Sequence, residues 1–241
     1  MICIKEATVF EGYPNIKTYE LDVTSLESID KAKEAILNDY KSIDVVVNNA
    51  GVGYRSFVEL SEDDKIDAIV KINWLGVVKV CRAFIPCFRQ QNKGQFINIT
   101  SIAGLVNLPL GSFYHPTKQA VESFSECMAY ELSDFNISVA TVQFGNVPSN
   151  FQKNVTKSQE STIDSYNKMM KCVDRIMSRK TSENHNLSIS ILEKIYKIAE
   201  NPSKGFQKYA IGFDAKLMKN IRRFLGYRLF DRLIKRYVLS Q

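Results

Sequence analysis

The sequence predicts an α/β fold: a doubly wound, open parallel sheet with helices on both faces. Three observations point to it. Short apolar runs alternate with longer segments of helical period. The run Val45-Val46-Val47 is continuously apolar, as a strand buried on both faces of a parallel sheet would be. The chain has 241 residues, 45% of them hydrophobic, enough for one sizeable core and too apolar for global disorder.

The elements follow in order. Ile16 to Leu21 reads as a strand, and Thr24-Ser25-Leu26-Glu27 as a capping box opening a helix that runs to about Tyr40. Val45 to Val47 is the next strand. Ser61-Glu62-Asp63-Asp64 starts a second helix, with acids set against the positive end of its dipole, and it continues past Pro86 with a kink. Gln95 to Thr100 is a buried strand, about Ser112 to Leu132 a helix, and Ile137 to Phe144 another strand. Val147 to Asn186 is polar and helix-prone without a strand signal. Leu187 to Ala199 is an amphipathic helix, and Lys208 to Phe213 a last strand before a basic tail. No repeat, linker or low-complexity segment interrupts this, so residues 1–241 read as one domain with a stub at 1–15 and a basic helical tail at 214–241.

The net charge of +6 is uneven: residues 216–237 hold eight Lys or Arg against the single Asp231, leaving the body near neutral. Five cysteines, odd in number and without a CxxC pair, read as reduced thiols. His115 and His185 are far apart, so no metal site is expected. No signal peptide or membrane-length apolar run is visible, and the expectation is a soluble, cytoplasmic protein. The positive charge sits in the tail without a recognition motif, so no nucleic-acid partner is expected.

Tyr114 and Lys118 are four residues apart, one turn along one helical face. A phenol ionises near pH ~10. A nearby ammonium favours the phenolate, so such a pair can act as general acid–base. Ser101 follows the strand Gln95–Thr100, at the end where open α/β sheets bind ligands, and could hold a carbonyl or alcohol oxygen. Alone, a Tyr-x-x-x-Lys spacing is a weak signal and is better explained by a surface pair.

The surroundings add specificity. Asp22-Val23 follows the first strand and Asn48-Asn49-Ala50-Gly51 the second. Asn73 lies inside the second helix, and Gly145-Asn146-Val147 follows the strand ending at Phe144. In order and spacing this set resembles the short-chain dehydrogenase/reductase family, from about Ile16 to the C-terminus, and so implies a Rossmann-like sheet. By resemblance, Ser101 would polarise the carbonyl, Tyr114 pass the proton, Lys118 lower the tyrosine pKa and bind the nicotinamide ribose, and Asn73 hold a relay water. Asp22, Val23, Asn48, Ala50 and Gly51 match adenosine-side positions, Asn48 being as readily a backbone brace. Gly145, Val147 and Ser149 match the nicotinamide-side segment, with Phe144 in place of its proline. The implied cofactor is NADP or NAD, NADP slightly favoured.

The family's Thr-Gly-x-x-x-Gly-x-Gly turn is absent; before Asp22 the single glycine is Gly12. The resemblance therefore implies an N-terminally truncated sheet lacking the first strand, first helix and second strand. It leaves open an active enzyme or a non-catalytic remnant. Residues 147–186 match a substrate lid, where Met169, Met170, Val173, Ile176 and Met177 recur at helical spacing, suiting core packing or an adaptable ligand wall. The tail pattern from Tyr209 to Lys216 resembles the hydroxysteroid- and retinol-dehydrogenase-like branch, implying an apolar carbonyl or secondary alcohol as substrate. A homodimer or homotetramer is likewise implied. Residues 216–237 alternate apolar and basic residues, fitting a helix docked on the domain or one in weak contact with a membrane surface, the latter making a peripheral membrane protein a third reading.

Overall fold

A computed structural model describes residues 13–145, 151, 155–158, 161–178 and 185–239. The elements are α1 (Leu26–Asp39), β1 (Val45–Asn48), β2 (Gly53–Arg55), α2 (Asp63–Val70), α3 (Gly76–Gln91), β3 (Gly94–Ser101), α4 (Tyr114–Glu131), β4 (Ile137–Phe144), β5 (Val155–Lys157), α5 (Asp164–Ser178), α6 (His185–Glu200), β6 (Phe206–Ile211) and α7 (Phe213–Leu239). The main sheet is parallel throughout, in the order β1-β3-β4-β6. A two-stranded parallel pair, β2 with β5, stands apart from it.

The side-chain alternation of the central strands feeds two cores. Phe96 and Val139 face one side, where α1, α3 and α4 contribute Ile29, Val80, Phe88 and Met128. Ile97, Ala140 and Val142 face the other, against Ile191 and Ile198 of α6. Phe96, Ile97, Val139 and Val142 are fully buried; each such side chain contributes about 2 kcal/mol. The turns leading into β3 and β4 contain Asn92 and Asn136 at φ 48° and 51°, left-handed positions that asparagine tolerates.

Several sequence expectations need correction. Residues 16–21 form no strand: they have no ladder partner among the described residues, and Tyr19 and Leu21 instead pack on the first core as irregular chain. The cap of α1 is Ser25, whose Oγ accepts the Ser28 N–H at 3.2 Å; Thr24 is turned to Asp22, one residue off the expected box. β1 is not buried on both faces, since Val47 is 43% exposed where the sheet has no further described strand beside it. The second helix continues past Pro86, as expected, and also carries a π turn at Lys71–Leu75 between α2 and α3, which its periodicity did not show. Residues 147–186 do contain a strand, β5, only three residues long and too short for a periodic signal.

The tail is one helical element broken at Gly226, whose φ of 63° belongs to the left-handed region. Its Ile234 joins Leu110 and Val173 in a third apolar cluster with Met170 and Met177. Among the described residues, no helix is long and apolar enough to cross a membrane.

Candidate active site

Because the strands are parallel, the C-terminal ends of β1, β3 and β4 lie along one edge of the sheet. Gly51 follows β1, Ser101 ends β3, and Phe144 and Gly145 close β4. Tyr114 opens α4 above them. These residues line a single cavity of about 480 Å³, together with Lys118.

Ser101 caps the turn after β3, its Oγ accepting the Ala103 N–H at 3.1 Å. It also hydrogen-bonds Tyr114. Burial pushes the Tyr114 phenol up to about 12; the Ser101 hydrogen bond and the Arg55 charge oppose that rise. Lys118 is 6% exposed, and its Nζ donates to the Ile99 carbonyl at 3.0 Å. It lies 5.9 Å from the centre of the Tyr114 ring. Burial brings Lys118 down to about 8, with Glu122 acting the other way. So the expected pair lies on one face and shares one cavity. Ser101 and Arg55 also favour the phenolate in this geometry.

Asn73 sits in the π turn, fully buried. Its Nδ2 donates to the Val52 carbonyl at 2.9 Å, and its Oδ1 accepts the Val52 N–H at 2.8 Å. The π turn thus brings the amide against the backbone after Gly51. A Cβ at Gly51 would lie 3.3 Å from Asn73 Oδ1 and 3.6 Å from Lys118 Nζ. Glycine there leaves Lys118 in the cavity wall, whereas Asn73, fully buried and bonded to Val52, is not in that wall.

The other expected positions divide. Gly145 lines the cavity. Val147 and Ser149 lie outside the described residues. Asn48 is a brace: it is buried and donates to Asn98 Oδ1 at 2.8 Å, while Asn98 donates to Ser125. Asp22 accepts from the Thr24 N–H and hydroxyl, shaping the turn before α1, and Val23 packs where Gly76 leaves room for it. Asp22, Val23, Asn48 and Ala50 are not in the cavity wall. Of the methionine-rich stripe, Val173 and Met177 do line the cavity, so α5 is a cavity wall as well as core.

Sequence reasoning missed three wall residues. Arg55 lies on β2, a strand too short to announce itself. His115 is buried with Nδ1 2.6 Å from the Val106 carbonyl, which makes Nδ1 the protonated nitrogen; burial holds its pKa below the ordinary value. Phe151 tilts over Tyr114 with ring centres 5.7 Å apart. Among the described residues no group of three or more His, Cys, Asp or Glu could hold a metal ion.

Comparison with known proteins places this geometry. The family described as short chain dehydrogenase matches residues 5–160. A 3-ketodihydrosphingosine reductase of Bacteroides thetaiotaomicron is 33% identical over 170 residues, 68% of this chain and 63% of that protein. The chain therefore spans less than two thirds of the length of that relative. A short-chain dehydrogenase from Streptomyces avermitilis superposes with a TM-score of 0.79 at 25% identity, over 96% of this chain and 83% of that one. An alcohol dehydrogenase from Thermococcus sibiricus, solved with 5-hydroxy-NADP, superposes with a TM-score of 0.53 at 25% identity, over 59% of each chain.

Proposed function

The chain belongs to the short-chain dehydrogenase family, and on that premise we propose that it is an oxidoreductase interconverting a ketone and a secondary alcohol on an apolar substrate. The observation that carries the reading is the hydrogen-bonded Ser101–Tyr114 pair, with buried Lys118, in one largely apolar cavity. The ketone named for the Bacteroides relative supports a lipid-like substrate, and the Val173 and Met177 wall suits one.

A nicotinamide dinucleotide, NADP(H) or NAD(H), supplies or accepts the hydride when bound; the 5-hydroxy-NADP on the Thermococcus relative supports that class. Lys118 and Gly145 would hold its nicotinamide–ribose end. The protein's own residues do the rest. The Ser101 and Tyr114 hydroxyls converge on a carbonyl oxygen and orient it. A phenol pushed up to about 12 is protonated at neutral pH, so Tyr114 stands ready to give its proton to the developing alkoxide. Asn73 holds the Val52 backbone and so fixes the Gly51 corner. Phe151 and the lid wall exclude water.

Tyr114→Phe keeps the ring packing and removes the proton. Reduction of a long-chain ketone, followed by nicotinamide absorbance, is expected to fall at least about 100-fold in this variant. Unchanged turnover would remove Tyr114 from the mechanism.

A second observation concerns α7. Phe224 is 80% exposed and Leu229 52%, among basic residues, while Met218 and Ile234 of the same element reach the cavity. This supports weak contact with an anionic membrane surface beside the cavity.

A further inference from the structure

Beside the catalytic cavity lies a second space of about 440 Å³, which the chemistry above does not use. Pro109 and Leu110 line both, so the two spaces meet at this short stretch of loop. The other walls of the second space come from opposite sides. Phe57 and Val58 follow β2, and Tyr166 and Met169 belong to α5.

The helix α5 runs along both spaces. Tyr166, Met169, Val173 and Met177 are spaced by three and four residues and so share one helical face. The first two line the second space and the last two the catalytic cavity. At a rise of about 1.5 Å per residue, this face spans about 16 Å. Leu110 fixes the loop opposite it. Its φ of 64° is uncommon for a residue with a bulky side chain. Burial with Val173 in the third apolar cluster holds it there, as does its carbonyl, which accepts the Ser56 N–H at 3.2 Å. Polar side chains around the second space are already engaged or face water. The Ser56 hydroxyl donates to the Phe57 carbonyl at 3.0 Å, and the Tyr166 hydroxyl donates to Glu59. Ser112 is exposed. The Tyr166 ring stacks on Phe57 with centres 3.8 Å apart. The remaining lining is apolar, and Val58 is 66% exposed within it. An apolar ligand would take that surface out of water.

We propose that the two spaces form one substrate route, the second receiving the far end of a long, flexible, uncharged alkyl chain whose carbonyl end meets Ser101 and Tyr114. A flexible chain can bend past Pro109 and Leu110, where a rigid fused-ring molecule of the same length cannot. Among the described residues the one charged side chain lining the second space is Glu59, and it is taken up by Tyr166. The chain end therefore meets no charge to recognise. The carbonyl part rests on the oxidoreductase reading; the chain site does not depend on it.

The test is calorimetric titration with octan-1-ol and with dodecan-1-ol, neutral chains that differ only in length. Each methylene taken fully out of water tightens binding about fourfold, so the wild-type chain is expected to favour dodecan-1-ol by at least about tenfold. Met169→Trp fills the second space from α5, and Val58→Trp fills it from the opposite, exposed side. Each should reduce that preference to below about threefold. Equal wild-type affinities overturn the proposal without any variant being needed. A preference that survives in either variant overturns it too, since the whole chain then lies in the catalytic cavity. Should Met169→Trp disturb the packing of α5 and bind neither alcohol, Val58→Trp decides alone. A parallel assay follows reduction of octan-2-one and dodecan-2-one. No turnover of either, with the alcohol preference present and lost in the variants, defeats the oxidoreductase reading and keeps the chain site. Turnover of both, with one ratio of kcat/KM in wild type and variants, defeats the chain site and keeps the oxidoreductase.

Discussion

Lys118 shows how far the role proposed for a residue opposes the stability of the fold. Its ordinary value of 10.5 falls to about 8 because burial penalises the ammonium. That difference corresponds to about 3 kcal/mol of destabilisation at neutral pH. A lysine whose folded pKa is lowered binds fewer protons folded than unfolded between these two values. Stability therefore rises with pH across that window, as the cost of the buried charge is relieved. Lys118→Met is expected to raise the unfolding free energy by about 1–3 kcal/mol at pH 7, measured by urea denaturation, while abolishing turnover. In the wild type, the ammonium is lost as pH passes about 8, so kcat/KM for reduction should decline above that point. A pH profile flat to pH 10 would show that Lys118 acts without its charge. The Tyr–Lys spacing was readable from sequence, because a four-residue interval on a helix is local geometry. The Arg55 charge beside Tyr114 was not, since β2 reaches the cavity only by pairing with β5.

At the scale of elements, the π turn at Lys71–Leu75 explains why Asn73 reaches the Val52 backbone. One residue more per turn rotates the following helix, and the amide at the bulge points out of the ordinary ladder. Its two bonds to Val52 replace water for a buried amide and a half-buried backbone. Asn73→Ala is expected to cost about 2–3 kcal/mol and to lower kcat more than it raises KM, because the Gly51 corner loosens. Chemical denaturation with steady-state kinetics checks both; an unchanged midpoint would mean the clamp contributes nothing. The sequence placed Asn73 on a helix through the acidic start at Asp63 and the periodicity that follows. A helix with a π turn and one without have nearly the same pattern, so the bulge itself was not readable. The same limit explains the cap of α1: Thr24, Ser25 and Ser28 all suit a helix start, and only the Asp22 contact with Thr24 decides which one caps.

Over the whole molecule, parallel order turns separate motifs into one site. Gly51, Ser101 and Gly145 are far apart in sequence, but they follow strands that are neighbours and run the same way. The buried Glu122 on α4 ties that arrangement together by accepting hydroxyls of Thr100 on β3 and Thr141 on β4. At the periphery, α7 joins the cavity to an exposed apolar and basic face. Changing Phe224 and Leu229 together to Glu is expected to remove co-sedimentation with phosphatidylserine-containing vesicles without altering the thermal midpoint. Binding that persists in the double variant would place the membrane contact elsewhere.

The sequence by itself determined the parallel α/β architecture and the strands β1, β3, β4 and β6. These rest on local periodicity. Only the tertiary structure decided that residues 16–21 stay outside the sheet, that Asn48 braces the core, and that Val173 and Met177 face the cavity. It also decided that Arg55 supplies the cavity's second cation. Each of these depends on which neighbour a segment meets across the fold, and pairing between distant segments leaves no periodic trace in a single chain.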